Sequence, residues 1–170
     1  MSGGRGRERT PLPDDKIMSV ALKMISTRAY SEGELRDRLI ARRMADAQAV
    51  DKCIRRLKEL GYVNDDMFAH SYASARVRAK PLGRSRVARE LAMKKIAPQR
   101  INEALDLVFG EATEESLIDR AIARRIRTHG RPDGRAAAKR MFDHLARLGF
   151  EYDLIIRKLR ALKADTQQSS

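Results

Sequence analysis

Two adjacent carboxylates, Asp65 and Asp66, are the pair in this 170-residue chain that could be mistaken for a general acid and base. Their position argues against that chemistry. They follow Asn64 and precede Phe68 and Tyr72, so they fall where a helix begins. There, Asn64 or Asp65 can accept hydrogen bonds from free backbone N–H groups, and Asp66 adds negative charge at the positive end of the helix dipole. His70, His129 and His144 lack metal-ligand spacing with one another or with Cys53, so neither a metal nor a cofactor is expected. Cys53 is the sole cysteine and lies on a helical apolar stripe, which predicts a core thiol in a reducing cytoplasm. With no nucleophile–base pair, acidic metal cluster or phosphate loop, no catalytic residue is assigned and the chain is read as a non-enzyme.

What remains is charge. The chain carries a net charge of +13 and has a pI near 10.4, values that point to a polyanion or an acidic protein as partner, with nucleic acid first. The excess is spread along the chain, at +1 for residues 1–16 and +4 for each of 17–63, 64–110 and 111–170. Two runs are densest: six basic residues against one acid between Arg84 and Arg100, and eight against one between Arg120 and Arg140. Helical spacing scatters each run over more than one face, so not all of them can meet one ligand. The first-choice contacts are Arg84, Arg86, Arg89, Lys94 and Lys95, with Arg76 and Arg78 just before them and Arg124, Arg125 and Arg127 as a second group. Phe68 and Tyr72 could stack on bases, but their spacing with Ala75 favours a buried helical face.

The elements that must position these cations are helical. Aromatics are 5% of the residues and Trp is absent, so the core draws on Leu, Ile, Val, Ala and Met, a helix-favouring set interrupted by five prolines. Residues 1–13, rich in Gly, Arg and Pro, are expected to form a mobile basic arm. A first helix starts at Asp14 or Asp15 with Ile17, Ala21 and Met24 inward. Ser31 and Glu34 have capping-box spacing for a second helix, and Asp46 can cap a third that Gly61 ends. Asn64–Lys80, a turn at Pro81 and Gly83, a helix from Arg84 or Ser85, and another entered through Pro98 make the next unit. Thr113 caps the following helix, Asp133 can cap the one after it, Gly149 ends that one, and a last helix leads to a flexible tail at 164–170. No apolar run reaches the roughly 20 residues needed to span a bilayer, and no signal-peptide core is present, so no membrane association is expected.

These units repeat. Leu35, Leu39 and Met44 match Val87, Leu91 and Ile96, then Met141, Leu145 and Phe150, with identical internal spacing and at intervals of 52 and 54 residues. A second pattern follows in the same order: Val50, Ile54 and Leu57, then Ile101, Leu105 and Val108, then Ile155, Leu159 and Leu162. The sequence therefore predicts an all-α chain of three tandem three-helix repeats, at 14–63, 64–110 and 111–163. Each is too small for a large core, so they should pack end to end into an elongated molecule that could curve.

Laid out in this way, residues 17–162 resemble the RecX family, bacterial regulators of the RecA recombinase filament. The most specific part is Asp65, Asp66, Phe68, Ala69, Tyr72, Arg76, Gly83, Arg84, Glu90, Leu91 and Ile96, which is similar to the family's central motif in identity and spacing. Arg28, Ser31, Glu34 and Leu35 look like the first-repeat signature, and Leu145, Gly149 and Phe150 like the third-repeat Gly-Phe turn. Lys95 departs from the pattern, standing where the family commonly has Gly. The resemblance implies three tandem repeats and a non-enzymatic, cytoplasmic modulator that acts in recombination, DNA repair and the SOS response. It would bind in the groove of a RecA filament on single-stranded DNA, with inhibition of extension, ATP hydrolysis and strand exchange as the favoured effect and a monomer as the expected state. The competing reading is a helix-turn-helix regulator of duplex DNA, drawn from the basic second helices of the repeats.

Overall fold

The structure is a computed structural model that describes residues 14–42 and 46–168, so the expected basic arm at 1–13 and the repeat position Met44 lie outside the described residues. Among the described residues the chain forms nine helices and no strand. In order they are α1 Asp14–Thr27, α2 Glu32–Ala41, α3 Ala47–Glu59, α4 Asp65–Ala79, α5 Arg84–Met93, α6 Pro98–Glu111, α7 Glu114–His129, α8 Gly134–Leu148 and α9 Tyr152–Gln168. The chain is all-α, as its composition and periodicity predict.

Local chemistry sets most boundaries. Ser31 accepts from the Glu34 N–H at 3.1 Å, Asp46 from the Ala49 N–H at 2.7 Å and Thr113 from the Ser116 N–H at 3.3 Å, each satisfying a donor that the first helical turn leaves free. Asn64 alone serves two, the N–H groups of Asp66 and Met67, both at 3.0 Å. Past α3, Gly61 takes a left-handed φ of 76°, and the Gly61 and Tyr62 N–H groups return to the Lys58 and Leu57 carbonyls, both at 2.9 Å. Gly149, at φ 91°, ends α8 by the same pattern. Asp133 occupies the cap position of α8 but makes no side-chain cap bond, contrary to the expectation for it. The final helix runs through Gln168, past Ala164 where the sequence suggests fraying.

The chain divides into two compact units: residues 1–68 with 94–96, and residues 69–93 with 97–170. In the first, α1, α2 and α3 enclose Ile17, Ala21, Leu35, Leu39, Val50 and Leu57, all fully buried, with Cys53 and Ile54 beside them. Complete burial of each Leu or Ile is worth roughly 1.5–3 kcal/mol, so this small core is the unit's main source of stability. In the second, α5 packs on α6, and α7, α8 and α9 pack on one another around Leu117, Ile118, Leu145 and Ile155. The first repeat pattern is buried at every described position. The second is buried in α3 and α6, whereas in α9 only Ile155 is enclosed and Leu159 and Leu162 are half-exposed.

Helix α4 departs from the sequence expectation. Its buried positions are Asp65, Ala69, Ala73 and Val77, one every fourth residue, while Phe68 and Tyr72 are half-buried on the flank and Ala75 is exposed. Small alanines admit a neighbouring backbone closely, and the Tyr72 hydroxyl needs a polar partner, which it meets at the edge of the core in Glu90 at 3.3 Å.

Candidate interaction surface

The basic residues do not form one continuous face. In the second unit, Glu90 on α5 is only 6% exposed, and its carboxylate is met by Arg76 from α4 through two bonds of 2.7 and 2.9 Å and by Arg86 one turn earlier at 3.0 Å. Bonding to Arg76, reinforced by Arg86 and Tyr72 against the opposing effect of burial, lowers the Glu90 pKa to about 2. Arg76 is thus committed to the interior. Arg84 is drawn to Asp106 on α6 at 2.6 Å, and its backbone N–H is accepted by Glu114 at 3.0 Å, so a carboxylate from the start of α7 caps α5. Burial holds that Glu114 carboxyl above its ordinary range.

Lys94 and Lys95 belong to the first unit. Lys94 Nζ bonds Glu34 at 2.8 Å, and its carbonyl accepts the Ser31 hydroxyl; Lys95 pairs with Asp37. Burial pushes Glu34 upward, but Lys94 and Arg28 outweigh it and hold the carboxyl below its ordinary range. The expected capping box is therefore half made: Ser31 caps α2, whereas Glu34 turns to Lys94 instead of back toward Ser31. Asp65 supplies an N-terminal bond of another kind, accepting the Glu32 N–H at 2.8 Å and so serving α2 from the start of α4. Lys95 takes a left-handed backbone at φ 62°, the sole non-glycine residue with positive φ among the described residues.

Of the predicted contacts, Arg78, Arg89, Arg124 and Arg127 are exposed, Arg125 is half-buried, and no carboxylate pairs with any of the five among the described residues. These are the cations left for a partner. Sequence reasoning missed Phe142, Arg147 and Tyr152, which with Arg86 and Arg89 line a groove of about 650 Å³ between α5 and the α8–α9 turn. The sequence carries no signal for Tyr152, because its neighbours Arg86 and Arg89 across the groove are distant in sequence. Among the described residues, no cluster of three or more His, Cys, Asp or Glu could hold a metal ion, and no helix is long and apolar enough to cross a membrane.

A family model described as RecX, second three-helix domain, matches residues 64–105, the stretch carrying α4, α5 and the first half of α6. Regulatory protein RecX of Pelodictyon phaeoclathratiforme (strain DSM 5477 / BU-1) is 30% identical over 146 residues, spanning 85% of this chain and 88% of that protein. Regulatory protein RecX of Chlorobium phaeobacteroides (strain BS1) is 34% identical over 92 residues, 54% of this chain and 60% of that relative's length. The crystal structure of RecX from Lactobacillus salivarius superposes with a TM-score of 0.76 over 89% of this chain and 97% of that one; at 18% identity the likeness concerns the fold.

Proposed function

The chain belongs to the RecX family of regulatory proteins, and from that premise we propose that it binds the RecA filament on single-stranded DNA and inhibits its extension, ATP hydrolysis and strand exchange. The observation that carries the reading is the division of labour among the cations. Arg76 and Arg84 are bound to carboxylates of the fold, while Arg78, Arg89, Arg124 and Arg127 stand exposed with no carboxylate paired to them among the described residues. Modest charge contacts from several helices suit a repetitive anionic polymer, because many weak sites engaged together add avidity without a deep pocket. Lying across neighbouring RecA subunits, or at a growing end, such a protein opposes filament growth with no catalytic group of its own.

The duplex-DNA reading needs α5 as a recognition helix. Its first cations, Arg84 and Arg86, are partly neutralised by Asp106 and Glu90, which favours the filament. The deciding experiment adds the chain to RecA, ATP and single-stranded DNA and follows ATP hydrolysis and strand exchange. Suppression of both is expected; unchanged rates at several-fold excess would remove the proposal. Sequence-specific duplex binding without RecA would establish the alternative.

A further inference from the structure

Three arginines around the groove beside the α8–α9 turn share one arrangement. Arg86 Nε bonds Glu90 at 3.0 Å, Arg89 Nε donates to the Ser85 carbonyl at 3.3 Å, and Arg147 Nε donates to the Asp143 carbonyl at 3.1 Å. Each guanidinium is thereby oriented by its own helix through one nitrogen, and among the described residues no carboxylate binds its two terminal nitrogens. Between them stands Tyr152, the first residue of α9, 66% exposed and backed by Phe142 with ring centroids 5.6 Å apart. Phe142 supports one side of the tyrosine while most of its surface stays open to solvent. The carboxylate on this groove wall, Asp143, bonds Lys139 at 2.9 Å, which leaves Arg89 and Arg147 unneutralised from that wall, while Glu151 and Asp153 line the adjoining cavity on the other side of Tyr152.

We propose that this groove is a binding site for single-stranded nucleic acid, in which Arg89 and Arg147 hold successive phosphates and a base stacks on Tyr152. Oriented guanidiniums suit phosphate oxygens, and an open aromatic ring suits an unpaired base. An acidic peptide would satisfy the arginines and leave the ring without a counterpart, and a base within a duplex has no free face to offer. The inference rests on the proposed function in taking the filament's single strand as the natural occupant, but the site itself requires no RecA.

The test uses the full chain without RecA and a fluorescein-labelled dT oligonucleotide about 20 nucleotides long. Tyr152→Ala is expected to weaken binding about 5- to 100-fold with an unchanged salt dependence, and Tyr152→Phe to retain it. Arg89→Gln and Arg147→Gln should each lower the slope of log affinity against log salt by about 0.7. Because the chain has no Trp, Tyr152→Trp introduces a single indole, whose emission dT should quench and an abasic strand of equal charge should not. Wild-type affinity in a folded Tyr152→Ala variant, equal quenching by the abasic strand, or displacement of dT by polyglutamate at equal charge would overturn the site. RecA ATPase assays on the same variants keep the two proposals apart: DNA binding through Tyr152 without any effect on RecA would leave the groove standing and remove the filament reading.

Discussion

Gly83 lies backbone to backbone against Gly149. The Gly83 N–H donates to the Leu148 carbonyl at 2.9 Å, a Cβ on Gly83 would stand 2.3 Å from the Gly149 carbonyl, and a Cβ on Gly149 would stand 2.4 Å from the Arg86 backbone nitrogen. Neither obstacle is a flexible side-chain end, so neither can move aside. Gly83→Ala and Gly149→Ala are each expected to destabilise by about 3 kcal/mol, the latter with added strain from its left-handed φ of 91°. Gly110, where an added methyl group would meet nothing within 4 Å, is the control. Gly110→Ala should be neutral or stabilise by up to about 1 kcal/mol. Urea midpoints of the three variants check the ranking.

Glu90 makes stability depend on acid pH. Its carboxyl titrates at about 2 in the fold, below its ordinary 4.5, so its contribution is complete above 4.5 and is lost as the pH falls from there toward 2. The loss should amount to something on the order of 2 kcal/mol. Glu90→Gln should flatten urea stability across that window and lower it at neutral pH by leaving Arg76 and Arg86 without their shared anion. An undiminished acid slope in the variant would show that other carboxylates carry it.

Gly33 and Lys95 should be energetically coupled. All three close neighbours of a Cβ added at Gly33 are Lys95 side-chain carbons, the nearest at 2.5 Å. Gly33→Ala is therefore expected to be costly in the native background and well tolerated alongside Lys95→Gly, which also relieves the positive φ. A double-mutant cycle read by thermal unfolding should return a coupling of about 1 kcal/mol or more.

Asp65 and Asp66 should differ despite their adjacency. Asp65 is 8% exposed and accepts the Glu32 N–H, whereas Asp66 is exposed at the start of α4. Asp65→Ala is expected to cost about 1–2 kcal/mol, and Asp66→Ala to change the denaturation midpoint little. Amide exchange at Glu32, accelerated in the first variant alone, locates the effect.

Most of what was settled within one turn of chain was readable from the residues, the cap bond expected of Asp133 and the return of Glu34 toward Ser31 excepted. Ser31, Asp46, Thr113, Pro98, Gly61 and Gly149 mark their helix ends because a cap bond or a left-handed φ involves neighbours a few positions away. The buried face of α4 was not readable, since Phe68 and Tyr72 outrank Ala69 and Ala73 in hydrophobic bulk while the fold rewards close approach. Nor was the fate of the arginines. Arg76 and Arg78 look alike in sequence, and only the buried Glu90, fourteen positions from Arg76, separates a committed cation from an exposed one. Nor was the contact of Lys95, at its left-handed φ of 62°, with the bare Cα of Gly33, which lies more than sixty positions earlier in the chain.

The bonds that close the start of α2 also bear on how the chain is made. A ribosome delivers Ser31 and Glu32 first, yet the Asp65 that accepts from Glu32 follows 33 residues later, and the Lys94 carbonyl that takes the Ser31 hydroxyl emerges 63 residues after the serine. The first unit can collapse early around its leucines, but its final locking waits until Lys94 has been synthesised, well after its own three helices are complete.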